Sequence, residues 1–166
     1  RVHAAYIMAS NRFNKLSAQA GLRGELSDIT TELTFTNEVN PRTYFNLFPS
    51  SSLSYALKEN KTIQLSYSYR ISRPDFRNLL PFDNFRDSRV FFVGNPNLRP
   101  EYTHSMEAGY LLDGKWGSIL TSLYHRYRKD VIQRIVTDVD EQGRTRIIPI
   151  NMAVEKAYGF EFNLSL

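Results

Sequence analysis

The chain has 166 residues and a net charge of +4, with 21 Lys and Arg against 17 Asp and Glu. It contains no cysteine, which excludes a disulfide framework and a thiolate metal site. No run of about 18 apolar residues occurs, which excludes a membrane-spanning helix. The basic residues are scattered, so no nucleic-acid partner is expected. The mean hydropathy of −0.41 leaves a membrane barrel open, because barrel strands alternate apolar and polar residues.

Alternation with a period of two residues predicts an all-β, antiparallel meander of about seven strands. The first four strands are expected at residues 2–12, 16–27, 45–57 and 62–72. In the first of them, Ala4, Tyr6 and Met8 are expected on the apolar face. The fourth alternates without a break from Thr62 to Ser72. Ordinary strands have about 5–6 residues and barrel strands about 9–11, so this length favours a membrane barrel.

Short turns join pairs of these strands. The last three strands are expected at residues 101–113, 116–128 and 156–166. Asp113-Gly114 predicts a two-residue turn at Gly114-Lys115, and paired residues whose numbers sum to 229 then match on both faces. Similar turns are expected at Phe13–Lys15, with pairs summing to 28, and at Glu59–Lys61, with pairs summing to 120.

The remaining connections are long, and they alternate strictly with the short turns. They are expected at residues 28–44, 73–100 and 129–155. In a meander this alternation places every long loop at one end of the sheet. Outer-membrane barrels have that asymmetry, with short periplasmic turns and long extracellular loops. The small hydrophilic face fits a lumen, the other face fits lipid, and Tyr102 and Tyr127 fit an aromatic girdle.

The most informative motifs lie in and around the connection at 73–100. They read Y-R-I-S-R-P at 69–74, L-L-P-F at 79–82, G-N-P-N-L-R-P-E at 94–101 and E-A-G-Y at 107–110. Taken alone they describe a turn-rich loop, in which Gly94 and Asn95 permit a positive φ and Pro96 and Pro100 stiffen the chain.

Together with Q-A-G-L-R-G-E at 19–25 and A-Y-G-F-E-F at 157–162, these motifs resemble the barrel segment of TonB-dependent outer-membrane receptors. The version resembled is that of Bacteroidetes-type outer-membrane barrel proteins, and the resemblance covers nearly the whole chain. The positions that carry it are expected to be structural: Arg70, Pro74, Gly94, Asn95, Pro96, Leu98, Pro100, Glu101, Glu107 and Gly109.

The resemblance implies a barrel of about 22 strands that closes around an N-terminal plug, which a TonB partner pulls from the periplasm. It implies uptake of a metal chelate, a cofactor or an oligosaccharide across the outer membrane of a Gram-negative bacterium. The expected partners are outer-membrane lipid, the plug domain and TonB complex of the full-length protein, and the transported ligand. With about seven strands, no plug, no initial Met and no terminal aromatic after Leu166, the chain is expected to be a fragment of the barrel wall.

Ligand contacts are expected from the long loops, above all from the aromatic connection at 73–100. Its candidate residues are Arg73, Phe76, Phe82, Phe85, Phe91 and Phe92. The phenylalanines could grip a ligand, or they could form a small core of the loop itself, and the sequence leaves both interpretations open.

No enzyme, cofactor or metal site is predicted. His104 and His125 face each other in the 229 register, but they fall on the apolar face and lack a third ligand. Glu107 and Glu161 fall on different strands, without a nucleophile and base around them. The acidic stretch at 138–143 lacks the ligand spacing of a calcium-binding EF-hand.

Three alternatives remain from the sequence. The first is a soluble β-sheet module that binds carbohydrate or lipid, in which the face of Tyr67, Tyr69 and Ile71 packs against a second sheet. The second is a porin or assembly barrel that works without TonB. The third is an enzyme embedded in a barrel, for which the sequence offers no catalytic set.

Overall fold

The computed structural model describes residues 1–33, 38–85, 89–139 and 143–166. These residues form nine strands and one short helix: β1 Val2–Phe13, β2 Leu16–Leu33, β3 Glu38–Lys58, β4 Lys61–Ser72, α1 Phe76–Leu79, β5 Asp83–Phe85, β6 Val90–Val93, β7 Glu101–Gly114, β8 Gly117–Val139 and β9 Thr145–Ser165. Within the described ranges, no helix has the length and apolarity needed to span a bilayer.

All nine strands belong to one sheet, with the order β1-β2-β3-β4-β7-β8-β9-β6-β5. The seven long strands follow one another in chain order, which confirms the predicted all-β meander. The short strands β5 and β6 were not predicted, and β6 pairs with β9 in parallel. The run Val90-Phe-Phe-Val93 has strong strand propensity, but it is too short to show a period of two residues.

The strands extend far into two of the expected loops. Strands β2 and β3 remain paired as far as Leu33 and Glu38, so most of the predicted loop at 28–44 is strand. The Thr43 hydroxyl donates to the Asp28 carboxylate across this pair at 2.8 Å. Strands β8 and β9 similarly take up much of the region at 129–155. The acidic stretch at 138–143 falls partly on residues 140–142, which lie outside the described ranges.

The turn between β1 and β2 contains two residues, Asn14 and Lys15, and not the predicted three. Paired residues therefore sum to 29, so that Ile7 faces Leu22 and Met8 faces Gly21. A slip of one residue exchanges the two faces of a strand. The prediction for the first strand was wrong for this reason. Met8 lies on the polar face, where its sulfur accepts a hydrogen bond from Gln19 at 2.7 Å.

The turn between β3 and β4 is also shorter than predicted and consists of Glu59 and Asn60. An irregularity between Ala56 and Lys58 adds a further shift, and beyond it the pairs sum to 118, with Tyr55 opposite Ile63. The predicted sum of 120 was wrong by two. A shift of two residues leaves every side chain on its predicted face.

The turn between β7 and β8 consists of Lys115 and Trp116, one residue later than predicted. Gly117 follows it with a φ of 128°. A Cβ at this position would collide with the backbone of Ser165 on β9. Glycine is therefore required twice over, by its backbone conformation and by the approach of a neighbouring strand.

The chain divides into two compact units. The strand unit comprises residues 1–70, 104–126 and 157–166, and the loop unit comprises 71–103 and 127–156. In the strand unit, large apolar side chains are exposed along one face of β2, β3, β4 and β9, as at Phe160, Phe162 and Leu164, whereas β1 exposes them on both faces. Because the described residues form a single sheet, they include no second sheet to cover this face, as the soluble module would require.

The loop unit has a small core of its own. Its buried apolar residues are Val93, Leu98, Val131 and Pro149. They come from the connection between β4 and β7 and from the extended parts of β8 and β9. The loop unit is therefore packed against itself and does not consist only of exposed turns.

Candidate functional site

The connection between β4 and β7, residues 73–100, is here named the central loop; it contains α1, β5 and β6 and lies within the loop unit. It carries most of the residues that the sequence singled out. Arg73 and Pro74, both half-buried, open it, and the motif at 94–101 closes it and leads into β7. The site is therefore one folded segment with several attachments to β8 and β9.

Helix α1 presents an aromatic side chain to solvent. The Asp75 carboxylate accepts a hydrogen bond from the Arg77 backbone N–H at 2.8 Å and so caps the first turn. Phe76, the first helical residue, is 68% exposed, and Phe82 just beyond the helix is 45% exposed. Among the predicted ligand contacts whose side chains the structure describes, these two rings are the exposed ones.

The rings of Phe91 and Phe92 are half-buried, because arginine side chains lie over them. The Arg134 guanidinium is 4.9 Å from the centre of the Phe92 ring, and that of Arg146 is 5.8 Å from the Phe91 ring. Each such contact contributes about 0.5–1 kcal/mol at an exposed site. Arg134 lies in β8 and Arg146 in β9, so these two phenylalanines help to hold β6 against both strands. Phe85 lies in β5, and its side chain is outside the described part of the structure.

Gly94 is buried against the end of the helical segment. Its backbone N–H donates to the Leu80 carbonyl at 2.8 Å, and a Cβ would lie 2.3 Å from that oxygen. A positive φ was expected to be permitted at Gly94 and Asn95, but neither residue has one. Glycine is required here because the two backbone segments approach too closely for any side chain.

Asn95 connects three parts of the loop unit. Its backbone N–H donates to the Asn78 carbonyl in α1 at 2.7 Å, and its side-chain amide donates to the Pro149 carbonyl in β9 at 3.1 Å. Its side-chain oxygen accepts from the backbone of Asn97, which forms a local turn around the half-buried Pro96. Leu98 follows, and only 3% of it is exposed. The motif therefore fastens the helix to β9.

Arg99 is held by its backbone and by its side chain. The Asn151 side chain accepts from the Arg99 N–H at 2.8 Å and donates to the Arg99 carbonyl at 2.9 Å. The Arg99 guanidinium donates to the Asp130 carboxylate at 2.7 Å. Asp130 has a φ of 55°, which aspartate tolerates better than most residues. We name these three residues the Asn151 clamp.

Glu101 follows Pro100 and opens β7. One carboxylate oxygen accepts from the backbone N–H of Ile132 in β8 at 2.7 Å. The other lies 4.0 Å from the Arg128 guanidinium, which is also 3.5 Å from Glu155. Because Arg128 and Glu155 are partly exposed, these ion pairs contribute little, and the hydrogen bond to Ile132 is the stronger tie.

The other motif residues belong to the strand unit. Arg70 is exposed near the end of β4. Glu107 and Gly109 line a polar depression of about 310 Å³ together with Ser52, Ser54, Gln64 and Ser66. This depression lies on the polar face, which the sequence assigned to the lumen.

The two histidines lie in aromatic stacks on the apolar face of the strand unit. The His104 ring stacks on Tyr69 at 4.4 Å and its Nδ1 is 3.0 Å from the Tyr67 hydroxyl. The His125 ring stacks on Tyr158 at 4.5 Å. The residues with assigned positions include no group of three or more side chains that could hold a metal ion.

Sequence reasoning missed Asp130 and Asn151, which hold the central loop. Lys129-Asp130-Val131 contains no turn signal, although aspartate tolerates a positive φ. Asn151 follows Ile150 in an apolar stretch and has no pattern that would mark a partner 52 residues away. Only the three-dimensional contacts identify these two residues.

The model of a family described as "Outer membrane protein beta-barrel family" matches residues 1–166. Among curated proteins, none matches the chain by sequence.

Three solved structures share the fold at low sequence identity. The siderophore receptor PirA from Pseudomonas aeruginosa has a TM-score of 0.76 and 18% identity over 98% of this chain and 30% of its own. The Serratia marcescens hemophore receptor HasR, in complex with HasA and heme, has a TM-score of 0.76 and 12% identity over 98% and 31%. The ferric enterobactin receptor PfeA from Pseudomonas aeruginosa has a TM-score of 0.71 and 16% identity over 99% and 25%. The chain therefore spans less than a third of each of these receptors.

Proposed function

We propose that this chain, which belongs to the outer membrane protein β-barrel family, forms part of the wall of a TonB-dependent uptake receptor. The proposal rests on two observations: the exposed apolar strand face, and the central loop, which is folded and firmly attached to β8 and β9. In this role the chain is a transport component and not an enzyme. Its partners are lipid, the plug domain and TonB complex of the full-length receptor, and a ligand.

The strand unit supports this role through the chemistry of its two faces. On β2, β3, β4 and β9 one face carries exposed Leu, Ile, Phe and Tyr side chains, and the other carries mainly Ser, Gln, Asn and single charges. Hydrocarbon chains of a bilayer satisfy the first face, and a hydrated lumen that holds a plug satisfies the second. A porin would use the same two faces, so the faces alone favour a barrel and do not select a receptor.

The central loop supports a receptor. An open pore needs no folded external segment, whereas capture of a ligand needs side chains held in fixed positions. Phe76 and Phe82 are exposed aromatic side chains on such a segment, with Arg77 directly after Phe76 and the half-buried Arg73 three residues before it. This combination fits a ligand with flat apolar parts and negative charge, such as a metal chelate or a cofactor, and an oligosaccharide would use the aromatic rings alone.

Uptake by intact cells that carry the full-length receptor tests the proposal. The probes are radiolabelled ferric enterobactin, haemin and a maltooligosaccharide, each supplied to cells with and without TonB. We expect one probe to enter only when TonB is present. Entry of every probe at equal rates without TonB would instead identify a porin.

A double variant, Phe76→Ala with Phe82→Ala, tests the ligand surface. We expect the half-saturation concentration for the transported probe to rise about tenfold, because buried aromatic contacts dominate binding energies. Trp116→Ala is the matched control, since Trp116 is also exposed but lies in a short turn. An equal effect of the two changes would contradict a ligand surface on the central loop.

A further inference from the structure

The Asn151 carboxamide makes three hydrogen bonds to the backbone of other segments. Its oxygen accepts from the Arg99 N–H at 2.8 Å, and its nitrogen donates to the carbonyls of Arg99 at 2.9 Å and Asp130 at 2.6 Å. Both backbone groups of Arg99 are therefore bound by one side chain. A neighbouring strand satisfies a residue in the same way, so Asn151 substitutes for a strand at this point.

Arg99 needs such a substitute because of its position in the central loop. It precedes β7, so it has no place in the strand ladder, and Pro100 after it has no N–H to donate. The next residue back, Leu98, is 97% covered, and its burial carries the chain toward the core. The backbone of Arg99 would thus lack ordered partners without Asn151.

The same contact also fixes β8. Asp130 adopts a positive φ, and its carbonyl points to Asn151 while its carboxylate points to Arg99. Three segments that are distant in sequence therefore meet at one amide group. A carboxylate of the same length lacks both donors and a hydroxyl offers a single donor, so the three bonds require a carboxamide.

A short series of contacts joins the clamp to the exposed aromatic rings. Arg99 and Asn95 belong to one tight segment, in which the Leu98 N–H donates to the Asn95 carbonyl. Asn95 in turn binds Asn78, which lies in α1 two residues after Phe76. Loss of the clamp would release the closing end of the central loop, and with it the support on which α1 rests.

We propose that Asn151 is a positioning residue, which does not touch the ligand but holds the central loop in the conformation that binds it. This inference rests on the proposed function as far as ligand capture is concerned. The fixing of the loop itself depends only on the contacts described above. The two parts therefore have separate tests.

Amide hydrogen exchange in the full-length receptor, in detergent, tests the fixing of the loop. For Asn151→Ala we expect exchange at Asn95 and Arg99 to accelerate at least tenfold, because both amides lose the structure that protects them. Asn151→Asp keeps the acceptor and loses both donors. Its exchange rates at these two amides are therefore expected to lie between those of the wild type and of Asn151→Ala. Asn163→Ala, on the same strand in the strand unit, is the control and should change neither amide. Unchanged exchange in Asn151→Ala would overturn the inference.

Uptake of the transported probe tests the consequence for ligand capture. We expect Asn151→Ala to raise the half-saturation concentration severalfold, with the same maximal rate and the same amount of receptor in the outer membrane. A loss of receptor or of maximal rate alone would instead indicate a purely structural role and overturn the positioning role. If no probe enters wild-type cells, the proposed function fails, and the exchange measurement still decides whether Asn151 fixes the loop.

Discussion

Gly94 and Gly109 both belong to the motifs that resemble the receptor family, but the structure requires only one of them to be glycine. A Cβ on Gly94 would lie 2.3 Å from the Leu80 carbonyl oxygen, which is backbone and has no room to move. A Cβ on Gly109 would meet its nearest atom, in the Leu120 side chain, at an ordinary 3.6 Å. Glycine is thus required by lack of space for a Cβ at Gly94, whereas at Gly109 there is room for one.

Replacement of each glycine by alanine measures this difference. We expect Gly94→Ala to destabilise the central loop by about 1–3 kcal/mol, as overpacking commonly does. Gly109→Ala is expected to change stability by less than about 0.5 kcal/mol. Hydrogen exchange at the Asn95 amide in the full-length receptor reports the loop. Equal exchange in the two variants would show that the backbone contact at Leu80 is not limiting.

Two substitutions of Glu101 separate the contribution of its hydrogen bond to stability from that of its ion pair. Glu101→Ala leaves the Ile132 N–H without its acceptor, which costs about 1–3 kcal/mol if no water replaces it. Glu101→Gln keeps an acceptor oxygen and removes the charge opposite Arg128, so a loss below about 1 kcal/mol is expected. Exchange at the Ile132 amide distinguishes the two. If glutamine proved as harmful as alanine, the ion pair would be the main contribution of Glu101.

At the scale of the element, the length of a turn decides which side chains of the following or preceding strand lie on each face of the sheet. The turn at Asn14 and Lys15 has one residue fewer than the sequence indicated, and that single residue exchanged the faces of β1. In β3 and β4 the error was two residues, and the faces were retained. Alternation within a strand was predictable from sequence, whereas the register between strands depends on turn conformations that the local sequence specifies weakly.

Asn14 is the residue that makes the first turn possible, since its φ is 53°. We expect Asn14→Gly to leave assembly unchanged, because glycine adopts this conformation without strain. Asn14→Val is expected to destabilise the hairpin by about 1–2 kcal/mol, because a β-branched residue clashes there. Urea titration of the full-length barrel in lipid vesicles measures both. A valine variant as stable as the glycine variant would refute the role of this backbone conformation.

At the scale of the whole molecule, the sequence predicted the meander and the presence of three short turns, although the position or length of each turn differed from the prediction. It did not predict how the central loop is held. Gly94 was assigned to a backbone conformation and proved to be a close contact. The partners of Arg99 lie far along the chain, at Asp130 and Asn151, and no local pattern encodes such a pairing. Periodicity is a property of neighbouring residues, whereas the Asn151 clamp joins residues that are far apart in the sequence.

The membrane assignment has its own test in two adjacent residues of β9. Phe162 is exposed on the apolar face, and Asn163 beside it lies on the polar face. We expect Phe162→Arg to destabilise the barrel in a bilayer by about 2–4 kcal/mol, because the charge would face hydrocarbon. Asn163→Arg is expected to change stability little. Folding of the full-length protein into vesicles measures both variants, and equal losses would argue that the Phe162 face does not meet lipid.

The bonds that attach the central loop to β9 also set an order of events during biogenesis. Asn95 and Arg99 bind residues that are 54 and 52 positions later in the chain, and β6 pairs with the first residues of β9. Contacts of such separation form late, because the entropy of closing the loop is lost before the contact returns any stability. The exposed rings of the central loop therefore reach their final positions only after β9 has been made and paired. A chain halted before that stage would have its earlier strands in place, but its central loop would still be unattached to β9.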